Sequence, residues 1–338
     1  MDPFETRLKD IIITDGPVDI GTFMMLAIGH YYATRDPFGV KGDFTTAPEI
    51  SQMFGEMIGA FLADTWMKIG SPSPVLLVEG GPGRGTLMAD ILRATKNVPG
   101  FHAAAQIHLI ETSPVLSARQ AETLNAYKVE WHTSFDALPP NIPMLFVANE
   151  LLDALPMSQY QYQNGAWHER VVGLQGDKLS FGLIPASVQF PPQPEGSIYE
   201  VAPVRDEFAR QLSKSIAEST GVALLIDYGH DHHGPGDTLQ AVRAHQYVDV
   251  LDGAGEADLT SHVDFESVAR VAREQAVVHG PVGQGDFLLS LGIALRAARL
   301  NQETELHRLT AADQMGTLFR VIAITQDPAL SLAGFDKE

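Results

Sequence analysis

The chain has 338 residues, 45% of them hydrophobic and 19% charged, which is enough to build a large core. Cysteine is absent, so disulfides, thiolate metal sites and a cysteine nucleophile are excluded. The formal net charge of −19 opposes binding to a phosphate backbone and favours a basic protein or peptide partner. Without a long apolar run or a targeting pattern near residue 1, we expect a cytoplasmic protein that neither binds nucleic acid nor inserts into a membrane.

The first 70 residues have a helical pattern. Asp19 is placed to cap a helix that runs to about Ala33, and Pro48 opens a longer helix that continues through Trp66. The segment 31–50 between them is rich in glycine, proline, aromatic and charged residues, a composition typical of a binding loop as well as of an ordinary capped connection. We therefore expect a helical N-terminal segment whose central loop acts as a lid.

A buried strand, a glycine turn and a helix follow. Val75–Val78 is a continuous apolar run, which is typical of a central strand covered on both faces. Gly81, Gly83 and Gly85 then alternate with other residues, so the backbone can adopt positive φ angles and approach a ligand closely. The helix that begins at Thr86 points its N-terminus towards that ligand. This pattern predicts a nucleotide-type binding turn.

The acid at the end of this strand indicates which nucleotide is bound. A dinucleotide motif requires a third glycine where Thr86 stands, and the lysine of a phosphate-binding P-loop is missing. Glu79 would repel a pyrophosphate and attract a cation. S-adenosylmethionine (SAM) carries an ammonium and a sulfonium group, so it fits this turn better than NAD.

Strand and helix patterns alternate from residue 74 to 150, which predicts a doubly wound parallel sheet with a ligand crevice at the carboxyl ends of its strands. Glu111 ends the second strand, where a carboxylate can accept hydrogen bonds from both ribose hydroxyls. Alone, Glu111 is equally consistent with a solvated carboxylate, but its pairing with the glycine turn favours a ligand role. The cofactor-binding residues that we predict are Glu79, Gly81, Gly83, Gly85, Glu111, Phe135, Asp136, Asn149, Asp43 and Thr45.

The later part of the chain continues the sheet and interrupts it with insertions. Alternating residues around the Asn164-Gly165 turn predict an antiparallel β flap. A helix at about 204–218, a fifth buried strand at 222–230, a helix at about 264–273 and strands near 275–279 and 319–325 are also expected. The predicted domains are a helical segment over 1–70, a Rossmann-like core over 71–156 and 197–338 with an insertion at 231–262, and the flap over 157–196.

Several long segments resemble the MidA/NDUFAF7 family of class I SAM-dependent methyltransferases. They are Tyr31–Gly39, Gly42–Glu56, Asn149–Pro156, Ile226–His230, Asp258–Phe265 and Gly283–Phe287. The resemblance runs from about residue 5 to 326. It implies a Rossmann-like fold, SAM as methyl donor and arginine as acceptor, and it links the family to the assembly of respiratory complex I. Without the targeting segment of the mitochondrial members, the sequence favours a bacterial-type cytoplasmic location.

Acidic residues after the fourth core strand suit a cationic acceptor. Methyltransferases that act on planar amino groups often carry Asn/Asp-Pro-Pro-aromatic here, whereas this chain has Asn149 followed by Glu150 and two leucines. A carboxylate can orient a guanidinium through paired, charge-assisted hydrogen bonds. We predict Glu150 and Asp153 as that clamp, although Asp153 is equally consistent with the N-cap of a following helix.

Polar residues also end the fifth strand. Asp227, Tyr228 and His230 are placed to contact the acceptor or to take up its proton, and His230 is equally consistent with a structural hydrogen bond. The nearby His232 and His233 lie in a glycine-rich segment without helical spacing, so we expect no metal there.

The sequence thus predicts a protein-arginine methyltransferase whose partner is a protein with an exposed arginine, such as a complex I subunit. Two alternatives remain open: a SAM-binding assembly chaperone with little turnover, and a methyltransferase with another protein or small-molecule acceptor. An NAD-dependent oxidoreductase is disfavoured by the glycine spacing. The oligomeric state and the degree of methylation are left open.

Overall fold

The computed structural model describes residues 3–34, 45–188 and 190–335. Its strands in chain order are β1 (Val18–Asp19), β2 (Val75–Gly80), β3 (Ala105–Ile110), β4 (Val129–His132), β5 (Met144–Asn149), β6 (Ser158–Gln163), β7 (Ala166–Gln175), β8 (Lys178–Pro185), β9 (Ile198–Val201), β10 (Gly221–His230), β11 (Gln240–Arg243), β12 (Gln246–Val248), β13 (Asp258–Thr260), β14 (Val263–Asp264), β15 (Val277–Gly283) and β16 (Phe319–Thr325). Its helices are α1 (Pro3–Asp15), α2 (Ile20–Thr34), α3 (Ala47–Ile50), α4 (Gln52–Lys68), α5 (Thr86–Thr95), α6 (Phe101–Ala104), α7 (Pro114–Thr123), α8 (Pro203–Ser219), α9 (Phe265–Ala272), α10 (Gln284–Ser290), α11 (Ile293–Leu300), α12 (Glu303–Thr310) and α13 (Met315–Leu318).

The chain divides into two compact units, each built from separate stretches of sequence. The sheet unit comprises Thr45–Leu151, Phe208–His232 and Val263–Glu338, and the meander unit comprises Met1–Phe44, Leu152–Glu207 and His233–His262. These units group the chain differently from the expected domains, because α1 and α2 fall with the flap and the second insertion whereas α3 and α4 fall in the sheet unit. None of the helices in the described ranges combines the length and apolar character needed to cross a membrane.

The sheet unit contains a mostly parallel sheet with the strand order β15-β16-β10-β5-β2-β3-β4. Strands β4, β3, β2, β5 and β10 pair in parallel, whereas β16 runs antiparallel to both of its neighbours, β10 and β15. The strand order reverses next to β2. From β2 the chain continues to β3 and β4 on one side of the sheet, and it then crosses to β5 and β10 on the other side. The predicted Rossmann-like α/β fold is confirmed, including the late strands near residues 277 and 319.

The central strand and its covering helices explain why this sheet is stable. Every residue of β2 is buried, as the apolar run predicts. Helix α4 packs closely against α5, and Gly59 permits this because a Cβ there would lie 3.1 Å from the Ile91 Cα. Burial of large side chains such as Phe54 and Phe61 along α4 completes the core on that face.

The capping residues define where the first helices begin. Asp19 accepts hydrogen bonds from the Thr22 backbone N–H at 2.8 Å and from its hydroxyl at 2.7 Å, which confirms the predicted cap of α2. The single helix expected from Pro48 to Trp66 is wrong. Ser51 has an extended backbone and accepts the Met53 N–H, so it ends α3 and caps α4.

The meander unit contains the antiparallel flap that the sequence predicts. Its sheet has the order β1-β7-β6-β9, with β8 paired to β7. Asn164 and Gly165 have φ angles of 52° and 76°, as a tight two-residue hairpin turn requires. A smaller sheet of order β12-β11-β13 lies within the predicted insertion. Apolar side chains of α1 and α2, such as Leu8 and Phe23, form a separate core with this unit's own strands.

A buried carboxylate links three helices of the sheet unit and provides a test of the fold. Glu56 on α4 accepts hydrogen bonds from Arg93 on α5 at 2.6 Å and from Arg296 on α11 at 2.6 and 2.8 Å. Burial alone would raise the pKa of Glu56, but the bonds from the two arginines outweigh it and the pKa lies below its ordinary value.

We predict that Glu56→Gln lowers the free energy of unfolding at pH 7 by about 2 kcal/mol, because charge-assisted hydrogen bonds are lost. The folded-state pKa is depressed, so the difference from wild type should shrink as the pH falls through about 4. Urea denaturation at several pH values measures this. The control Glu122→Gln removes an exposed pair with Arg119 and should change stability by less than about 0.5 kcal/mol. If Glu56→Gln lowered the free energy of unfolding by the same amount at every pH, the ion-pair explanation would be contradicted.

Candidate cofactor site and acceptor residues

The glycine turn after β2 has the backbone geometry of a ligand-binding loop. Gly81, Gly83 and Gly85 have φ angles of 63°, 52° and 80°, in the left-handed region that side chains rarely permit. A Cβ on Gly81 would lie 3.0 Å from a methyl carbon of Leu151. The turn is therefore shaped so that its backbone, rather than side chains, faces a ligand at the N-terminus of α5.

Glu79 lies at the end of β2 and is almost completely buried, with 3% of its surface exposed. Burial raises its pKa well above the ordinary value, and the nearby Glu111 raises it further, while a hydrogen bond from the Met88 backbone acts in the opposite direction. Its Oε2 atom has no hydrogen-bond partner within the described parts of the chain. A buried acceptor of this kind favours a cationic or hydrogen-bond-donating ligand.

Glu111 at the end of β3 is held on both of its oxygens. Oε1 accepts the Ser113 N–H at 2.7 Å, and Oε2 accepts Gln120 Nε2 at 3.0 Å. Burial raises the pKa of Glu111, and these hydrogen bonds partly offset that effect. The carboxylate is thus fixed at the predicted ribose position, within the same unit as the glycine turn.

Gln120 is a site residue that the sequence analysis missed. It is fully buried on α7, and its Nε2 also donates to the Gly83 carbonyl at 2.8 Å, while its Oε1 accepts Trp131 Nε1 at 3.0 Å. It therefore ties the glycine turn to Glu111 and to β4. The available signal was a polar residue in the buried stripe between Leu116 and Leu124.

Asn149 and Glu150 form a hydrogen-bonded cluster at the end of β5. The Oε1 atom of Glu150 accepts bonds from the Thr46 hydroxyl at 2.5 Å, Asn149 Nδ2 at 2.9 Å and the Ala47 N–H at 3.3 Å. Glu150 has a φ angle of 53°, which is uncommon for a residue other than glycine and is concentrated at functional sites. The buried Asn149 Oδ1 has no partner among the described residues. This end of β5 is therefore organised around a carboxylate.

The remaining predicted cofactor residues differ from one another in exposure and in contacts. Thr45 is partly exposed and directly precedes the Thr46 that bonds Glu150. Phe135 packs against Phe146 and Phe208, with ring centroids 6.0 and 6.4 Å away, and the adjacent Asp136 is exposed. Phe135 is thus partly a packing residue. Asp43 lies outside the described residues.

Asp227 and His230 lie on β10 in the same unit. Asp227 is fully buried and one of its carboxylate oxygens accepts the Tyr228 N–H at 2.9 Å. The Nδ1 atom of His230 lies 2.8 Å from the His232 carbonyl oxygen. A carbonyl can only accept, so Nδ1 carries the hydrogen and the neutral ring has its lone pair on Nε2. His230 therefore combines a structural hydrogen bond with a basic nitrogen.

Asp153 belongs to the meander unit and is buried, with 5% of its surface exposed. Its carbonyl oxygen accepts the Ser261 N–H at 3.1 Å and Nη2 of the buried Arg205 at 3.2 Å. The chain after Asp153 enters β6 rather than a helix, so the alternative of an N-cap is not realised. Arg205, which the sequence analysis missed, also reaches the His262 carbonyl and fixes the turn that carries Asp153.

Solved structures are similar to this chain over almost its entire length. A COG1565 superfamily member from Burkholderia thailandensis, bound to S-adenosyl-homocysteine, has a TM-score of 0.89 and 26% sequence identity, with 99% of this chain and 94% of that chain covered. A native crystal structure of a protein from the same organism has a TM-score of 0.81 and 25% identity, with 99% and 92% covered.

Curated relatives carry more specific names. The protein arginine methyltransferase NDUFAF7, mitochondrial, of Danio rerio is 34% identical over 86% of this chain and 76% of the relative. Its Mus musculus counterpart is 36% identical over 87% and 75%, and the Drosophila melanogaster homolog is 34% identical over 98% and 86%. Because these relatives are all named mitochondrial, the cytoplasmic location predicted from the sequence is wrong.

A family profile provides the remaining comparison. Residues 57–282 match the profile of S-adenosyl-L-methionine-dependent methyltransferases. The match includes the glycine turn, both strand-end acids, Asn149 and Glu150. Together with relatives of more than 30% identity, it confirms the resemblance noted in the sequence. The chain belongs to the family of S-adenosyl-L-methionine-dependent methyltransferases that includes the NDUFAF7 proteins.

Proposed function

We propose that this protein transfers the methyl group of SAM to a guanidinium nitrogen of an arginine in a protein substrate. The observation that carries this proposal is the oriented carboxylate of Glu150 at the carboxyl end of β5, since a guanidinium pairs well with a fixed carboxylate. The printed names of relatives in Danio rerio and Mus musculus, which are protein arginine methyltransferases, support the same acceptor.

The residues of the glycine turn fit the proposed cofactor. Backbone N–H groups at Gly81, Gly83 and Gly85 are suited to contact it closely, and Glu111 is suited to bind two ribose hydroxyls. The buried Oε2 of Glu79 and Oδ1 of Asn149 are acceptors for its cationic and donor groups. When bound, the cofactor supplies an electrophilic methyl group, so the protein needs neither a metal nor a covalent intermediate.

Glu150 is proposed to orient the acceptor. Three donors on Oε1 restrict rotation of its carboxylate, and the left-handed backbone fixes its direction. Pairing with a guanidinium concentrates positive charge near the carboxylate and leaves one nitrogen directed towards the methyl group.

Loss of a proton is required because a guanidinium remains protonated until it reacts. His230 offers a lone pair on Nε2, and Asp227 is a buried carboxylate on the same strand. We propose these two residues as the groups that take up the proton as or after the methyl group transfers.

Replacing the charge at Glu79 tests the cofactor assignment. We predict that Glu79→Gln, which keeps the size of the side chain, weakens SAM binding at least about tenfold because a charge-assisted contact is lost. Isothermal titration calorimetry measures the affinity, and the control Glu122→Gln on the exposed surface of α7 should bind like wild type. A normally folded Glu79→Gln protein with unchanged SAM affinity would refute this role.

Replacing Glu150 separates catalysis from cofactor binding. We predict that Glu150→Gln lowers methyl incorporation about 100-fold while SAM binding persists, because the acceptor is no longer oriented. The same measurement on Asp153→Asn tests the second carboxylate that the sequence predicts. Transfer from isotopically labelled SAM measures the rate. Equal rates in wild type and Glu150→Gln would contradict the proposal, as would the absence of any transfer by wild type.

The acceptor itself can be identified by the same labelling. Because the family resemblance links these proteins to respiratory complex I, we extend the proposal to a complex I subunit as the substrate. Incubation of the purified chain with labelled SAM and a lysate, followed by mass spectrometry, should place the label on arginine. Label on a lysine or on a small molecule would show that the acceptor assignment is wrong.

A further inference from the structure

Two histidines and a glutamate lie together at the edge of the main sheet, outside the proposed cofactor and acceptor residues. Strands β3 and β4 pair in parallel, with His108 opposite Glu130 and Ile110 opposite His132. Side chains two residues apart project from the same face of a strand, so His108, Glu130 and His132 share one face. Strand β4 ends the strand order among the described residues, so the cluster lies at a sheet edge.

The three side chains already approach the geometry of metal ligands. His108 Nδ1 lies 2.8 Å from His132 Nε2 and 4.0 Å from Glu130 Oε2. One ligand atom from each residue falls within 4.8 Å of the other two. Two nitrogens bound to one zinc ion lie roughly 3.3 Å apart, given bonds of about 2.0–2.1 Å and tetrahedral angles. The two rings need to separate by only about half an ångström.

We infer that His108, Glu130 and His132 form a binding site for a late first-row divalent cation, with Zn²⁺ as the best fit. Two imidazoles and one carboxylate are a donor set that zinc commonly uses with solvent in the fourth position. In the ion-free cluster one N–H hydrogen lies between the two rings. When the cation takes its place between Nδ1 and Nε2, each neutral ring carries its one hydrogen on the nitrogen that does not bind the ion.

Surrounding residues make the site accessible and partly rigid. His108 is almost fully buried, with 2% of its side chain exposed, so its ring position is fixed by packing. Glu130 is 53% exposed and can rotate towards the cation, and Lys128 lies 3.5 Å from its other oxygen, Oε1. The lysine can therefore stay beside Oε1 while Oε2 binds the ion.

A cation at this site would link β3 and β4, and the residues that follow both strands are predicted to bind the cofactor. The carbonyl oxygen of His132 accepts the N–H of Glu111, the predicted ribose-binding acid, at 2.9 Å. Phe135 and Asp136 follow β4 after two intervening residues. The inferred role is a structural link between β3 and β4, and it does not depend on the proposed transfer reaction.

Calorimetric titration of zinc chloride into the full chain, without an affinity tag and after treatment with a chelator, tests the inference. We expect one ion per chain in wild type and at least about tenfold weaker binding in His132→Gln and in Glu130→Gln. The control His232→Gln removes an exposed histidine that lies beside Asp231, and it should bind zinc like wild type.

Thermal melting in the presence of chelator should show that the three variants are as stable as wild type, so that lost binding is not lost folding. Added zinc should raise the melting temperature of wild type and of His232→Gln but not of His132→Gln. Absence of a one-to-one site in wild type, or a site that survives unchanged in His132→Gln, would overturn the inference.

Discussion

The acidic residues at the carboxyl ends of the main sheet's strands are constrained by the free-energy cost of burying a carboxylate. Glu79 has 3% of its surface exposed, and the negative charge of Glu111 acts on it from the next strand. An isolated buried carboxylate is strongly unfavourable unless it is protonated or compensated. Within the sheet unit the described partners satisfy Glu111 on both oxygens but leave Oε2 of Glu79 without one. A cationic ligand would remove this imbalance, which supports the proposed contact between Glu79 and SAM.

The features that depend on neighbouring residues could be predicted from the sequence. The apolar run of β2, the alternating glycines and the cap at Asp19 each act over a few residues, and each is present in the structure. Gln120 and Arg205 were missed, because each has a defining partner that is distant in the chain: Gly83 lies 37 residues from Gln120, and His262 lies 57 residues from Arg205. Ser51 is intermediate: its capping bond is local, but the helical pattern on both sides concealed the break between α3 and α4.

Glu150 shows how one residue can link local strain to function. A φ angle of 53° costs free energy for a residue with a side chain, so the surrounding contacts must maintain it. Thr46, Ala47 and Asn149 provide these contacts and at the same time connect β5 to the start of α3. A glycine at this position would adopt the backbone more readily, but it would lose both the connection and the charge. The strained backbone is therefore best explained by a requirement for the carboxylate.

The burial of Glu79 distinguishes SAM from a pyrophosphate-containing dinucleotide more clearly than the glycine spacing does. A pyrophosphate at the turn would bring two negative charges towards Glu79, whose pKa is already raised by burial, and would require this carboxyl to stay protonated. In the proposed complex SAM brings positive charge to the same place, so it would stabilise the ionised carboxylate instead of opposing it. Because the interaction takes place in a buried, low-dielectric environment, the difference between attraction and repulsion is large there. In the proposed complex Glu79 thus selects the cofactor by its charge, while the glycine backbone provides the space and Glu111 binds the neutral ribose.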